Sequence, residues 1–309
     1  MKTASLWNNS RHFLNLRPVY GFGQWMLDNF PLAVGYGMTR GVSEIAYRVG
    51  KKVTGPLSEN LRQVLRHSRP GLDPAALERT VQDLTYKIFI NRGRWFADLS
   101  VLAGVRRFDD IVHIRMEGNW DAFTRARREG RGTILASGHL GNWYGGGVAV
   151  GRLGIPIRAV IYHNHAGDVM DRRVWGRGSV GPIYIDGDPY STLEVVRALR
   201  SGEAVAMLAD RPWDSRWMDL PFFGRIARFP LGPVRIARLA QVPLFPAFCV
   251  YERDLDYTAT MCDPIEVGPG DPEEAEREAM RRFVAVLEKF VAPNLHVWFS
   301  FMPIWHDPP

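Results

Sequence analysis

The chain has 309 residues, of which 46% are hydrophobic and 23% are charged, and its formal net charge of +6 is carried mainly by arginine. This composition is that of a globular protein with a large core. The positive charge favours an anionic membrane surface, a phosphorylated substrate, an acidic carrier protein or nucleic acid as partner. Cys249 and Cys262 form no metal-ligand or redox spacing, which favours a reducing compartment.

The first third of the chain, residues 1–104, is predicted to be helical. Residues 31–49 carry apolar side chains at helical spacing, and residues 60–66 predict a short helix. A longer helix is predicted over residues 73–99, with Asp73 as its cap and a proline in its first turn.

A membrane surface is the expected location of this helical region. The amino terminus has no secretory signal pattern. The most apolar stretch, residues 30–47, is interrupted by Arg40 and Glu44 and falls short of the ~20 apolar residues of a membrane span. An interfacial helix is the expectation that remains.

Residues 105–309 are predicted to form an α/β domain, one compact unit with the helical region. Helices are expected over residues 120–129, 142–151, 191–200, 233–240 and 273–291, the third with a capping box at Ser191 and Glu194. Strands are expected over residues 133–137, 157–162, 182–185, 204–209, 243–250, 257–261 and 297–301. This alternation predicts a mixed, largely parallel central sheet flanked by helices, while residues 220–233 have the glycine and proline content of a loop.

A histidine stands where a predicted strand ends. His139 follows the strand of residues 133–137, at the end of a sheet where α/β proteins place ligands. Gly138 and Gly141 are expected to leave room for a substrate, and Asn142 to cap the next helix, whose N–H groups suit a developing oxyanion. Since a lone histidine is more often structural than catalytic, these neighbours carry the prediction.

Asp210 and Arg211 end another predicted strand at the same edge of the sheet as His139. This pair is either a structural ion pair or part of the site. The loop beyond it contains Arg225 and Arg228, which suit phosphate contacts.

Arg177 belongs to a basic segment, residues 172–178, that is either an exposed helix face or an anion site. The sequence has no nucleophile elbow, Walker loop or dinucleotide fingerprint. His163 and His165 lack further metal ligands. We therefore expect no metal, no cofactor and no nucleic-acid partner.

Taken together, these motifs resemble the lysophospholipid acyltransferase superfamily, and most closely its branch of lipid A late acyltransferases and phosphatidylinositol mannoside acyltransferases. The resemblance covers most of the chain. It rests on Asn60-Leu61, on residues 138–143, on Asp210-Arg211, on Phe222-Phe223-Gly224 with Gly232-Pro233, and on the tryptophans of residues 294–305.

The resemblance implies transfer of an acyl group from an acyl thioester, acyl-ACP or acyl-CoA, to a hydroxyl of a phospholipid or glycolipid. It implies peripheral or monotopic attachment to the cytoplasmic face of the cytoplasmic membrane. In this family a histidine deprotonates the acceptor hydroxyl, and a carboxylate five residues later orients the imidazole. The predicted substrate-binding residues are Gly138, Gly141, Asn142, Arg177, Arg211, Phe223, Gly224, Arg225 and Arg228.

This chain departs from the family pattern at the carboxylate, because Tyr144 stands five residues after His139. A phenol does not offset the charge of an imidazolium at neutral pH. Asp210 replaces the missing carboxylate, or His139 acts alone or with Tyr144, or the protein binds lipid or scaffolds an assembly without catalysis. A hydrolase that uses the same pocket is a further alternative. His139, Asp210 and Tyr144 are the candidate catalytic residues.

Overall fold

The structure, a computed structural model, describes residue 25 and residues 29–104, 112–151, 153–162, 180–185, 189–212, 216–253 and 255–305. Its helices are α1 (Leu32–Val49), α2 (Lys51–Ser68), α3 (Pro74–Gly104), α4 (Trp120–Arg128), α5 (Trp143–Gly151), α6 (Pro189–Arg200), α7 (Gly232–Ala240) and α8 (Pro272–Val291). Its strands are β1 (His113–Gly118), β2 (Thr133–Ser137), β3 (Ile157–Tyr162), β4 (Val180–Ile185), β5 (Ala204–Leu208), β6 (Trp217–Phe222), β7 (Arg225–Pro230), β8 (Leu244–Arg253) and β9 (Asp256–Met261).

In the described part of the chain, α1, α2 and α3 precede the sheet, and α1 and α2 both pack against the long helix α3. The predicted cap of α3 is confirmed, because Asp73 Oδ1 accepts hydrogen bonds from the N–H groups of Ala75 and Ala76. Helix α2 is much longer than the segment of residues 60–66 that the sequence predicts. None of the helices within the described residues is long and apolar enough to cross a bilayer.

A seven-stranded sheet forms the centre of the α/β region, in the order β1-β9-β8-β2-β5-β3-β4. All neighbouring strands are parallel except β8 and β9, which are antiparallel. The predicted mixed, largely parallel sheet flanked by helices is confirmed. Strands β2 and β5 are neighbours near its middle, and their register pairs Ser137 with Leu208. This pairing determines which residues meet at the carboxyl edge.

The predicted loop of residues 220–233 is wrong, because most of it forms the β6–β7 hairpin. Its two-residue turn, Phe223 and Gly224, has positive φ angles of 46° and 75°, the geometry that matches strand twist in tight hairpins. Pro221 and Pro230 are tolerated because a two-stranded ribbon has free edges. Glycine and proline therefore mark a hairpin here and not a loop.

Two smaller predictions are also wrong. Residues 297–301 are not a strand: a 3-10 helix, Ala292–Val297, leads into a segment that makes only an isolated bridge between Trp298 and Leu140. The capping box at Ser191 does not form either, because α6 already begins at Pro189 and places Ser191 inside the helix.

Asn60 of α2 holds the carboxyl-terminal segment of the described chain. Its Nδ2 donates to the carbonyls of Ser300 (2.9 Å) and Met302 (2.7 Å) and lies 3.1 Å from Ser300 Oγ. Its Oδ1 accepts from the N–H of Ile304 at 3.2 Å. The donors and the acceptor of this buried amide are all hydrogen-bonded, and they join residues about 240 positions apart. Asn60 therefore attaches the segment of residues 300–304 to α2.

Replacing Asn60 by alanine should lower the free energy of unfolding by about 2–4 kcal/mol, because it leaves buried carbonyls and an N–H without partners. The matched control is Asn91→Ala, which removes one hydrogen bond to the carbonyl of His296 and should cost about 1 kcal/mol. Urea unfolding of both variants measures the difference. Equal losses would contradict the assigned role of Asn60.

Candidate active site

His139 and Asp210 meet because β2 and β5 are parallel neighbours. The register pairs Ser137 with Leu208, and the two residues lie at the same distance beyond this pair. His139 Nδ1 lies 2.7 Å from Asp210 Oδ1, and the main-chain N–H of His139 donates to Asp210 Oδ2 at 2.8 Å. Both carboxylate oxygens are therefore engaged by the same residue.

Both side chains are buried, with His139 8% and Asp210 5% exposed. Loss of hydration lowers the pKa of His139 below the ordinary 6.5, the charge of Arg211 acts in the same direction, and Asp210 opposes both. Burial by itself raises the pKa of Asp210, but the charge and hydrogen bonds of His139, with the charge of Arg211, hold that pKa below its ordinary value. At neutral pH the pair is a carboxylate beside a neutral imidazole.

The ionised carboxylate assigns the imidazole tautomer, since it accepts hydrogen bonds and donates none. Nδ1 of His139 therefore carries the proton that faces Asp210. Nε2 then holds the lone pair, and within the described part of the chain it has no hydrogen-bond partner. His139 is also one of the residues that line a cavity of about 380 Å³. The ring thus presents a base to that cavity.

The main chain around His139 is fixed by the carboxyl-terminal segment. The carbonyl of His139 accepts from the N–H of Phe299 at 2.8 Å, and the N–H of Gly141 donates to the carbonyl of Val297 at 2.9 Å. These bonds restrain the main chain at His139 and at Gly141. The backbone that carries the imidazole therefore has little conformational freedom.

The sequence predicts that Gly138 and Gly141 leave room for a substrate, and in the structure other parts of the chain pack closely against both glycines. A Cβ on Gly138 would lie 3.1 Å from Leu287 Cδ1 and 3.3 Å from the Asp210 side chain. Gly141 has a φ of 62°, and a Cβ there would lie 2.1 Å from the carbonyl oxygen of Cys249. The main chain of Cys249 therefore requires glycine at position 141, whereas a Cβ at position 138 would require the side chains of Leu287 and Asp210 to shift by a few tenths of an ångström.

Asn142 caps α5, as predicted. Its Oδ1 accepts from the N–H of Gly145 at 3.0 Å, and its own N–H donates to the carbonyl of Cys249 at 2.7 Å. The first turn of α5 therefore follows His139 directly, with its N–H groups at the same edge of the sheet.

An aromatic cluster stands beside the imidazole. The ring of Trp143 lies 5.3 Å from that of His139 and 4.9 Å from that of Trp95, and Tyr144 lies 5.6 Å from Trp95. The Arg92 guanidinium stacks 3.8 Å from the Trp95 ring. Tyr144 lines the cavity, while the acidic partner of the imidazole is Asp210.

The cavity beside His139 has a volume of about 380 Å³. Leu135, Ala159 and Ala206, neighbours in the pairing of β2, β3 and β5, line it, as do Gly146 and Gly147 of α5. Small side chains at the sheet and the helix leave this apolar space open. Among the described residues, Arg211, Arg216 and Arg235 also line it.

Four predicted substrate-binding residues, Phe223, Gly224, Arg225 and Arg228, lie in the β6–β7 hairpin and are not among the described residues that line the cavity. Phe223 is buried, its N–H donates to the Glu288 carboxylate, and its carbonyl accepts from Gln63. The packing therefore supports a structural role for this turn.

The guanidinium of Arg228 stacks 4.6 Å from the Trp217 ring. Arg177 lies outside the described residues. The sequence did not single out Trp95, Arg216 or Arg235, which reach the site from other elements, and no local pattern marks them.

The family model for bacterial lipid A biosynthesis acyltransferases matches residues 9–307. The chain belongs to this family. Phosphatidylinositol mannoside acyltransferase of Mycolicibacterium smegmatis is 26% identical over 199 residues, and that of Mycobacterium tuberculosis is 25% identical over 205 residues. Each alignment covers 63% of this chain and spans 61% of the length of the curated relative. The resemblance drawn from the sequence motifs is confirmed.

Proposed function

We propose that this family member transfers an acyl group from an acyl thioester to a hydroxyl of a lipid or glycolipid, with His139 as general base and Asp210 as its carboxylate partner. The contact of 2.7 Å between His139 Nδ1 and Asp210 Oδ1 carries the proposal, because it supplies the dyad that the local sequence lacks. The named activity of the two relatives supports a glycolipid acceptor.

The reaction begins when Nε2 of His139 accepts the proton of the acceptor hydroxyl and the hydroxyl oxygen attacks the thioester carbonyl. Asp210 stabilises the imidazolium that forms. The tetrahedral intermediate then collapses, its C–S bond breaks, and the leaving thiolate takes the proton from His139. The products are an ester and a free thiol, and the enzyme returns to its starting state.

The oxyanion of this intermediate is stabilised by N–H groups at the start of α5, which Asn142 holds in place. The apolar cavity receives the acyl chain, since its volume of about 380 Å³ is within the range of small-molecule sites. Arg211, Arg216 and Arg235 line the cavity, and their positive charges suit the acidic groups of acyl-ACP or acyl-CoA.

Helix α1 provides the surface for peripheral or monotopic attachment to the cytoplasmic face of the cytoplasmic membrane. Three of its apolar side chains are half or more exposed: Val42, Ile45 and Val49. Arg40 and Arg48 are also exposed on this helix and suit anionic headgroups. An apolar face flanked by arginine is typical of a helix that lies in a membrane interface.

The test is mass-spectrometric lipid profiling of cells with and without the gene, complemented by wild type or by His139→Ala, with the protein located by fractionation. We expect one acylated lipid class to disappear without the gene and to return only with wild type. Assays of the purified protein with acyl-ACP and acyl-CoA then identify the donor. An unchanged lipid profile would overturn the proposal in favour of a catalytically silent lipid-binding or scaffold protein.

The pH profile of acyl transfer should have its acidic limb below pH 6.5. Burial and the charge of Arg211 lower the pKa of His139, so the neutral, basic form persists to lower pH than in an exposed histidine. Activity should be constant above this limb and fall as pH decreases through it. Initial rates at substrate concentrations well below KM, which report kcat/KM and so the pKa of the free enzyme, measure it between pH 4.5 and 8, and a limb above pH 7 would contradict the assignment.

A further inference from the structure

Asp98 is a buried carboxylate outside the pair of His139 and Asp210. Asp98 of α3 is 2% exposed, and each of its oxygens accepts a phenolic O–H: Oδ1 from Tyr36 of α1, and Oδ2 from Tyr257 of β9. A buried carboxylate must be compensated by hydrogen bonds or charge, and these two tyrosines come from elements far apart in the sequence.

The donors and acceptors available to these groups fix which of them donates in each hydrogen bond of the cluster. Because the carboxylate only accepts, the O–H of Tyr257 is used as a donor to Asp98. The phenolic oxygen then has lone pairs for Asn142, whose Nδ2 donates to it at 3.3 Å. Burial raises the pKa of Tyr257, so its phenol keeps its proton.

The side-chain amide of Asn142 is thereby oriented. With Nδ2 directed to Tyr257, its Oδ1 faces the other way and accepts from the N–H of Gly145. A rotated amide would place its acceptor against Tyr257 and its NH₂ against an N–H, and both contacts would be lost.

We propose that Asp98 and Tyr257 are positioning residues that set the amide orientation of Asn142 and so fix the start of α5 beside His139. Their effect on catalysis rests on the proposed function, because that function places the oxyanion at these N–H groups. Their effect on the order of α5 does not depend on any activity.

The variant Tyr257→Phe removes the lone pairs that bind Asn142, and Tyr36→Phe is the matched control. Both delete one phenolic hydrogen bond to Asp98, but it is the phenolic oxygen of Tyr257 that accepts from Asn142 Nδ2. We expect Tyr257→Phe to lower kcat about 10- to 100-fold with KM within about twofold of wild type. Tyr36→Phe should keep kcat within about threefold of wild type.

Hydrogen exchange of a peptide covering residues 140–150 provides a measurement that needs no substrate. Tyr257→Phe should accelerate exchange at the first turn of α5 about fivefold, the effect of one lost hydrogen bond, and Tyr36→Phe should leave it unchanged. Equal exchange in the two variants and wild type would overturn the proposal. If the exchange pattern appears while wild type transfers no acyl group, the positioning role stands and the proposed function fails.

A second variant covers the case in which Tyr257→Phe does not fold. Asp98→Asn keeps the shape but adds an NH₂ donor, so Tyr257 is free to donate to Asn142 and the amide orientation is no longer imposed. Its exchange at the start of α5 should also rise. A folded Asp98→Asn protein with the wild-type exchange rate and kcat would overturn the proposal.

Discussion

Acyl transfer by a His139→Ala variant should fall by about 10³- to 10⁴-fold, because no other imidazole or carboxylate is among the described residues that line the cavity. The loss should appear in kcat, with the KM of both substrates little changed, since the imidazole acts on the proton and contributes little to ground-state binding. Initial rates with saturating donor and acceptor measure it.

The control for this variant is His113→Ala, which removes an exposed histidine of β1 that is not among the residues lining the cavity. Circular dichroism and the unfolding midpoint establish that both variants fold. Because His139→Ala removes the imidazole that pairs with the buried Asp210 and keeps the main-chain N–H of residue 139, a lower midpoint is expected for this variant alone. A folded His139→Ala protein that retains more than a tenth of the wild-type rate would exclude His139 as the base.

Replacing Asp210 by asparagine should lower kcat by about 10³- to 10⁴-fold, as loss of the orienting carboxylate does in serine proteases. The physical reason is the tautomer. An asparagine NH₂ directed at Nδ1 requires Nδ1 to be the acceptor, which moves the proton to Nε2, where the lone pair is needed. The substitution also removes the charge that stabilises the imidazolium.

Two further variants complete this experiment. Asp219→Asn changes an exposed aspartate of β6 and should leave kcat within about twofold of wild type. Tyr144→Glu restores the carboxylate of the family spacing but should not increase kcat, because Asp210 already holds Nδ1. An increase in kcat for Tyr144→Glu, or an Asp210→Asn protein that is nearly as active as wild type, would show that Asp210 is not the dyad partner.

The sequence predicted the parallel sheet well because each buried strand is a short apolar run between helix signals, as in residues 133–137 and 204–208. It placed His139 and Asp210 at the same edge, since parallel strands share that edge. It did not reveal that β2 and β5 are neighbours, which depends on packing across the whole sheet. For this reason the contact between the two residues remained one of several alternatives.

Other features of the fold and the site could not be predicted from local sequence patterns. The hairpin of residues 217–230 contains proline and glycine, which are common in loops. Only the pairing of its two strands distinguishes this hairpin from a loop. Asp98 looks like any polar residue of a long helix, because the tyrosines that bind it come from α1 and β9. Residues that act through contacts across the chain leave no signal at their own position.

Asn60 is hydrogen-bonded to residues 300–304, and the N–H of Phe299 donates to the carbonyl of His139. These bonds have a consequence for biosynthesis. On the ribosome, His139 emerges well before residues 297–304. Its main chain therefore lacks these hydrogen-bond partners until those residues have been translated. A nascent or truncated chain without residues 297–304 therefore lacks these hydrogen bonds, and we expect the main chain at His139 to reach the described geometry only after they have been translated.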